Sequence, residues 1–309
     1  MQGGERYNSI GDHLKKEFGH KMVKLSIDAG FTCPNRDGTL SFDGCAFCSG
    51  GGSGELASHL KDGSVDIHRS ISEQIERLSE KWPSAGYIAY FQSFTNTYAP
   101  VETLRSLYYE ALSDPRIEGI AIATRPDCLN EDVLDLLEEI NEKYFLWVEL
   151  GLQSMHDETL KSMNTCYNVN TYDRAAADLI SRGIKVVTHL ILGLPGETEE
   201  MMLDSVRHVC EKSVFGIKLH LMNIVKTSGL YTSMPDYMPF GSMEEYVDLV
   251  VRCLEIIPSD ITIHRITGDV PRKLLVSPEW SYRKRTILNM INRELKDRDT
   301  YQGKKVNCG

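Results

Sequence analysis

The chain contains no run of eighteen apolar residues, the length a bilayer core demands of a spanning helix. Its opening, Met1-Gln2-Gly3-Gly4-Glu5-Arg6, has no apolar centre of the kind a secretory signal carries, so a cytoplasmic location is expected. Cysteine is sparse: eight among 309 residues is too few for a disulfide scaffold. Cys128, Cys166, Cys210, Cys253 and Cys308 are scattered singly and read mostly as small buried hydrophobes. Positive charge is in the minority. Thirty-four Lys and Arg against 44 Asp and Glu leave a net charge of −10, which argues against indiscriminate nucleic-acid binding through phosphate neutralisation. Short basic patches remain at Arg283-Lys284-Arg285 and Lys304-Lys305. There is no repeat, low-complexity tract or clear interdomain linker, and a chain of this length buries a large core.

The three remaining cysteines are grouped. Cys33, Cys45 and Cys48 form a C-x11-C-x2-C triplet, one thiol short of a closed metal site. A structural zinc ion takes four protein ligands, and a ferredoxin cluster takes a cysteine at each corner. Three readings follow. The triplet holds a [4Fe–4S] cluster with one iron left open, it holds zinc with a fourth ligand borrowed from elsewhere, or the three cysteines are grouped by chance. Gly50-Gly51-Gly52-Ser53-Gly54 follows directly, either as a backbone that passes close to a bound group or as a plain flexible loop.

Apolar, β-branched runs alternate with amphipathic stretches, the pattern of βαβ units. Strands are expected at Val23–Asp28, Tyr87–Phe91, Gly119–Thr124, Phe145–Leu150, Val186–Leu192, Ile217–Met222 and Ile261–Ile266. Helices are expected at Ser70–Trp82, Val101–Ser113 and Glu244–Ile257, with one capped by Asn130 and another starting at Thr171 and stopping near Gly183. Six strand–helix steps predict an α/β fold, a partial (β/α)6 TIM-like barrel, with a doubly wound open sheet as the competitor. The expected division is an N-terminal extension over 1–22, the barrel over 23–257, and a C-terminal extension over 258–309 that completes the substrate face.

In parallel α/β folds, ligands sit at the C-terminal ends of the strands. Polar signatures gather at those ends: Gln92-Ser93-Phe94-Thr95-Asn96-Thr97-Tyr98, Thr124-Arg125-Pro126-Asp127, Glu149-Leu150-Gly151-Leu152-Gln153-Ser154, and Gly193-Leu194-Pro195-Gly196-Glu197-Thr198. His189, Lys218, His220, Lys226 and the run His264-Arg265-Ile266-Thr267-Gly268-Asp269 join them.

The triplet, the order of these motifs and the barrel rhythm resemble the radical S-adenosylmethionine (SAM) superfamily in its Elp3-like branch. Asp28 to Gly38, Phe91 to Tyr98 and His264 to Asp269 are similar to YhcC/YtqA-type radical SAM proteins, and the resemblance runs from about Tyr7 to Gly303. It implies one [4Fe–4S] cluster on Cys33, Cys45 and Cys48, with SAM at the open iron. It implies Phe47 beside the adenine, Gln92 and Ser93 in place of a glycine-rich segment, Gln153 at the ribose, and Ile191 and Leu192 along the adenine pocket. Glu149 is the expected polar contact to SAM or substrate. Relatives carry an arginine where this chain reads Met163-Asn164-Thr165-Cys166-Tyr167, so Arg174 or Lys218 is expected to meet the SAM carboxylate. His220, Lys226, His264, Arg265 and Asp269 are expected at the barrel mouth, binding an anionic group or moving protons.

The resemblance further implies reductive cleavage of SAM and hydrogen abstraction, with electrons from a flavodoxin- or ferredoxin-type donor. It points to tRNA as substrate, where a 5-carboxymethylaminomethyl group on the wobble uridine is trimmed to 5-aminomethyl. Tyr98, Trp280 and Tyr282 would stack on a splayed base, with Arg272, Lys273 and Arg283–Arg285 as a local patch. The alternatives are a radical SAM enzyme acting on a small metabolite or peptide, and a non-catalytic zinc-binding interaction protein. The oligomeric state is left open.

Overall fold

The computed structural model describes residues 6–52, 65–268 and 270–306. Among the described residues nine strands run in chain order: β1 (Met22–Ile27), β2 (Gly86–Phe91), β3 (Ile117–Thr124), β4 (Phe145–Gln153), β5 (Lys185–Leu192), β6 (Gly216–Leu221), β7 (Ile224–Val225), β8 (Thr262–Arg265) and β9 (Leu275–Ser277). Ten described α-helices accompany them: α1 (Ile10–Phe18), α2 (Ile67–Ser79), α3 (Val101–Leu112), α4 (Glu131–Asn141), α5 (Asp157–Ser162), α6 (Val169–Ser181), α7 (Glu199–Cys210), α8 (Gly229–Ser233), α9 (Met243–Ile256) and α10 (Lys284–Asp297). Seven strands pair in parallel in the order β1-β2-β3-β4-β5-β6-β8 and curl into a half-barrel, while β7 and β9 make a small antiparallel pair. The seventh strand lies beyond residue 257, hydrogen-bonded to β6, so the segment 258–309 supplies one edge of the main sheet.

Helix starts follow local chemistry. Asn130, Asn168, Thr198 and Ser242 each accept a hydrogen bond from the backbone N–H three residues on, which satisfies a donor the helix cannot use. The α6 cap is Asn168 rather than Thr171, whose amide donates to Asn168 Oδ1 at 3.0 Å. No described helix is long and apolar enough to cross a membrane.

Alternation along the strands separates two apolar regions. Leu25, Ile27, Ala89, Phe91, Ile120 and Ile122 face outward into the large core shared with the helices. Ile88, Tyr90, Ala121, Ala123, Trp147 and Val187 face the concave side, where Leu14, Ile10 and Phe18 of α1 pack against them and close the lower end. Three irregularities interrupt the register of the main sheet, where β3 skips Glu118 opposite Tyr87 and Ile88, between Gly151 and Gln153 in β4, and beside Lys218 where β8 skips His264. At Gly216 an added Cβ would lie 2.5 Å from the His264 ring, so the bulged strand needs glycine opposite it.

Trp147 has no solvent contact and fills the base of the half-barrel. Trp147→Ala is expected to cost about 3–5 kcal/mol in denaturant unfolding. The same truncation at the exposed Met238 should stay within about 0.5 kcal/mol. Equal midpoints for the two variants would refute the assigned core.

Candidate active site

The loop after β1 carries the three cysteines, and a second loop, residues 163–167, holds it in place. The Ala46 amide donates to the Met163 carbonyl at 2.9 Å, and Asn164 Nδ2 donates to the Gly44 carbonyl at 2.8 Å. Asn35, fully buried, donates through Nδ2 to the Asn164 carbonyl at 2.6 Å and to Cys45 Sγ at 3.4 Å. Cys166 is exposed rather than buried, and its Sγ donates to Asn35 Oδ1 at 3.0 Å. Thr165 is spent internally, its hydroxyl on the Leu160 and Tyr167 carbonyls. Its own carbonyl accepts from Arg125 at 2.8 Å. Arg125 is also clamped by both oxygens of Asp127 at 2.9 and 2.7 Å, stacks over Tyr167, and reaches Cys45 Sγ at 3.8 Å. A hydrogen bond from Cys48, assisted by Arg125, lowers the Cys45 thiol to about 7 against the opposing effect of burial. Arg36 sits on the other side of the loop and donates to the Ser49 carbonyl at 2.6 Å.

Below the cysteines lies a buried polar layer centred on Glu149. Tyr90 OH donates to its carboxylate at 2.5 Å, and Trp147 Nε1 and His189 Nε2 each at 3.0 Å. Lys218 Nζ donates to the same oxygen as Tyr90, and Lys24 stands 3.8 Å from the other. Burial alone would raise the Glu149 pKa; Lys218 and Lys24 outweigh it and hold the carboxyl well below its usual range. Burial lowers His189 to about 4 and pushes His220 and His264 well below the ordinary histidine value, with the neighbouring cations adding to the effect. These imidazoles are neutral at pH 7.

A cavity of about 310 Å³ opens at the C-terminal ends of the strands, walled by both the cysteine loop and this polar layer. Cys33, Cys45, Cys48, Phe47, Gln92, Glu149, Gln153, Ile191, His220 and Arg265 all line it. Phe47 and Ile191 form its apolar wall with Met222. Gln153 has a left-handed backbone, φ 71°, and folds back over Gly151, where a Cβ would stand 2.5 Å from its amide nitrogen. Glu149 reaches the cavity, but its oxygens are already taken by protein donors, so it organises the layer instead of serving as an open contact.

Other expected residues lie elsewhere. Leu192 faces outward into the helix-packed core, because consecutive strand residues point to opposite faces and Ile191 takes the inner one. Ser93 is fully buried and off the cavity. Arg174 is exposed on α6 and Lys226 is exposed after β7, neither lining the cavity. Lys218 is consumed by Glu149 beneath it. His264 packs between Trp147 and Phe215 at the barrel base, with ring centroids 5.6 Å from each. Asp269 lies outside the described residues. The cations that do line the cavity are Arg36, Arg125 and Arg265. Of these, Arg265 was expected at the mouth, while Arg125 and Arg36 stood within the Thr-Arg-Pro-Asp and Asp28-to-Gly38 runs without a role assigned to them; Asn223, which also lines the cavity, was not singled out.

The donor set fits a cluster. Three thiols from one loop line one cavity. Ser49 Oγ, His220 Nε2 and Asn223 Oδ1 line the same space as buried polar atoms without a protein partner, as a polar ligand would require. Three cysteines presented after the first strand, at the open end of a parallel half-barrel, are the arrangement on which radical SAM enzymes are built. Residues 32–209 match the family model described as the radical SAM superfamily, and residues 214–297 match that of the radical SAM C-terminal domain. The chain belongs to the radical SAM superfamily. It is 44% identical over 301 residues to the uncharacterized protein YtqA of Bacillus subtilis, spanning 97% of this chain and 92% of that one. It is 37% identical over 300 residues to protein YhcC of Escherichia coli, spanning 96% and 94%. Among solved structures, Elp3 of Methanocaldococcus infernus with its N-terminus deleted shares the fold, with a TM-score of 0.68 at 17% identity over 91% of this chain and 64% of that one. The family's cofactors are a [4Fe–4S] cluster and SAM, which when bound supply one-electron cleavage of SAM and hydrogen abstraction from carbon.

Two outcomes are expected. Cys45→Ala should lose the brown colour and bound iron of the reconstituted protein while keeping its helical circular dichroism; full iron retention would remove Cys45 from the ligand set. Stability should fall in mild acid. His189, His220 and His264 have depressed folded pKa values, so their contribution is complete above the unfolded value near 6.5 and is lost as pH drops toward the folded value, about 4 for His189. At pH 5, His189 alone should account for about 2 kcal/mol. Glu149, depressed from the carboxylate range, begins to matter only below about pH 4.5. A urea midpoint unchanged between pH 7.5 and 5 would contradict the neutral buried imidazoles.

Proposed function

We propose that this radical SAM enzyme acts on tRNA, trimming the 5-carboxymethylaminomethyl group of the wobble uridine to 5-aminomethyl. In this reading Cys33, Cys45 and Cys48 hold the cluster, and Phe47, Ile191 and Met222 receive the adenine. Gln92 and Gln153 bind polar atoms of SAM, with Arg36 meeting its carboxylate in place of the arginine that relatives carry near Thr165. The protein's own work is to position the substrate arm at the cavity and to exclude water from it. Electrons come from a flavodoxin- or ferredoxin-type donor, and the setting is the cytoplasm.

The observation that carries the RNA reading is an exposed Tyr282 ring flanked by two guanidiniums, Arg272 at 4.4 Å and Arg283 at 5.9 Å. It stands at the end of the short turn Glu279–Tyr282 that follows β9, the partner of β7, whose Val225 lines the cavity. An exposed aromatic between cations is a stacking platform for an unpaired base. Trp280 is partly buried against Tyr246, and Tyr98 is tied to Thr39 through its hydroxyl, so Tyr282 is the aromatic that supports the reading best.

The test is anaerobic: reconstitute the cluster, add SAM and dithionite, and follow 5′-deoxyadenosine with unmodified tRNA, with tRNA carrying the carboxymethylaminomethyl group, and without RNA. Product that rises only with the modified tRNA, together with loss of the carboxymethyl unit by mass, is the expected result. Product indifferent to RNA would redirect the substrate search to metabolites and peptides.

A further inference from the structure

One wall of the cavity comes from β6 and the turn that follows it, and two of its polar atoms have no partner among the described residues. His220 lines the cavity from β6, its ring 5.0 Å from that of His189, and its Nε2 is buried without a hydrogen bond. Asn223 stands just past the end of β6, only 8% exposed, and its Oδ1 is likewise buried and unpartnered. The contacts of the amide fix its orientation. Nδ2 donates to the Leu221 carbonyl at 3.2 Å, whereas a flipped amide would set two oxygens against each other. Gly268 makes room for this side chain, since an added Cβ there would overlap Asn223 Nδ2. Buried polar atoms are nearly always satisfied, so two orphans on one wall point to a ligand.

Both orphans are uncharged. Burial keeps His220 neutral, so its ring carries one N–H and one lone pair, while Asn223 Oδ1 can only accept. A donor and an acceptor on one wall suit the flat edge of a cyclic imide better than an ion. The wall also lies within residues 214–297, outside the 32–209 segment that matches the superfamily model and carries the cysteines. SAM is common to the whole superfamily, so a wall beyond that segment is placed to face the substrate. Val225, two residues past Asn223, pairs with Leu275 of β9, which leads into the turn bearing Tyr282. The wall and the exposed aromatic platform are thus parts of one ribbon.

We propose that Asn223 and His220 form a subsite for the imide edge of a splayed-out uracil, with N3–H donating to Asn223 Oδ1 and a flanking ring carbonyl accepting from His220 Nε2–H. The assignment deepens the tRNA reading and rests on it, since a wobble base drawn out of its loop presents this edge unpaired. The pair reads the ring and not the arm. Blocking N3–H should therefore abolish the advantage that Asn223 confers.

The experiment uses the reconstituted protein with SAM and two anticodon stem-loops that both carry the carboxymethylaminomethyl arm, one of them methylated at N3 of the same uridine. The methyl group removes the N–H without altering the protein. In the parent protein KM is expected to rise about tenfold or more on methylation. Asn223→Leu, with unchanged iron content and melting temperature, should raise KM for the unmethylated loop and bring the two loops to parity. The dissociation constant of SAM should stay within about twofold. His220→Phe should weaken both loops alike, and His220→Gln, which keeps a donor, should recover part of the loss. Equal KM for both loops in the parent protein would overturn the subsite. A parallel loss of SAM affinity in Asn223→Leu would overturn it too, assigning the wall to the adenine of SAM. A direct probe is uridine against N3-methyluridine, followed by saturation-transfer NMR with SAM present to fill its own place. Uridine signal that is weakened by N3-methylation and lost in Asn223→Leu supports the subsite even if neither loop is turned over, an outcome that would reject the tRNA reading alone. No uridine signal in the parent protein would reject the subsite even if tRNA is turned over.

Discussion

The carboxylate of Glu149 is a charge sealed away from water, and it survives there because four strands besides its own send groups to meet it. Lys24 comes from β1, Tyr90 from β2, His189 from β5 and Lys218 from β6, while Trp147 donates from its own strand. Removing one partner from such an arrangement strands the others in a low-dielectric interior, so the layer holds together or fails together. It also sets the floor of the cavity. His189 is held in position by Glu149, and its ring lies 5.0 Å from that of His220. The inner curvature of the half-barrel and the polar chemistry of its cavity thus share one electrostatic centre.

A second constraint acts at the rim. The loop 163–167 spends two backbone carbonyls and the Asn164 side chain on the cysteine loop, whose own Asn35 donates back to it, and Arg125 joins both to the end of β3. Left-handed backbone at Asn164 and Cys166 makes this approach possible, and asparagine tolerates that conformation better than most residues. The Thr165-Cys166 pair, which departs from the arginine expected of relatives, is explained by this bracing: Thr165 bridges two carbonyls and offers a third to Arg125.

The sheet was legible because parallel strands buried on both faces leave continuous apolar runs, and each expected strand from Val23 to Ile266 falls within a few residues of an observed one. Helix α1 went unread, since its nine residues carry one fully buried side chain, Leu14, and a mostly polar remainder. The cavity was legible in part. Residues at strand ends, such as Gln92, Gln153 and Ile191, could be placed because topology dictates where strand ends meet. Phase could not be read through the β8 irregularity, which brings in Arg265 while leaving His264 at the base; Leu192, by contrast, was misplaced against plain alternation, which turns it away from Ile191. Arg174 was drawn in by charge and Lys226 by its place after the sixth expected strand, and neither has an address until the helix face and the turn are known. Asn35 was missed for the converse reason, because its value lies in contacts with residues more than a hundred positions away.

Helix α1 has a consequence for where water can stand. By seating Leu14, Ile10 and Phe18 against Ile88, Trp147 and Val187, it makes part of the concave side an apolar, packed interior. The polar guests of this half-barrel are thereby confined to the strand ends, beside the cysteines.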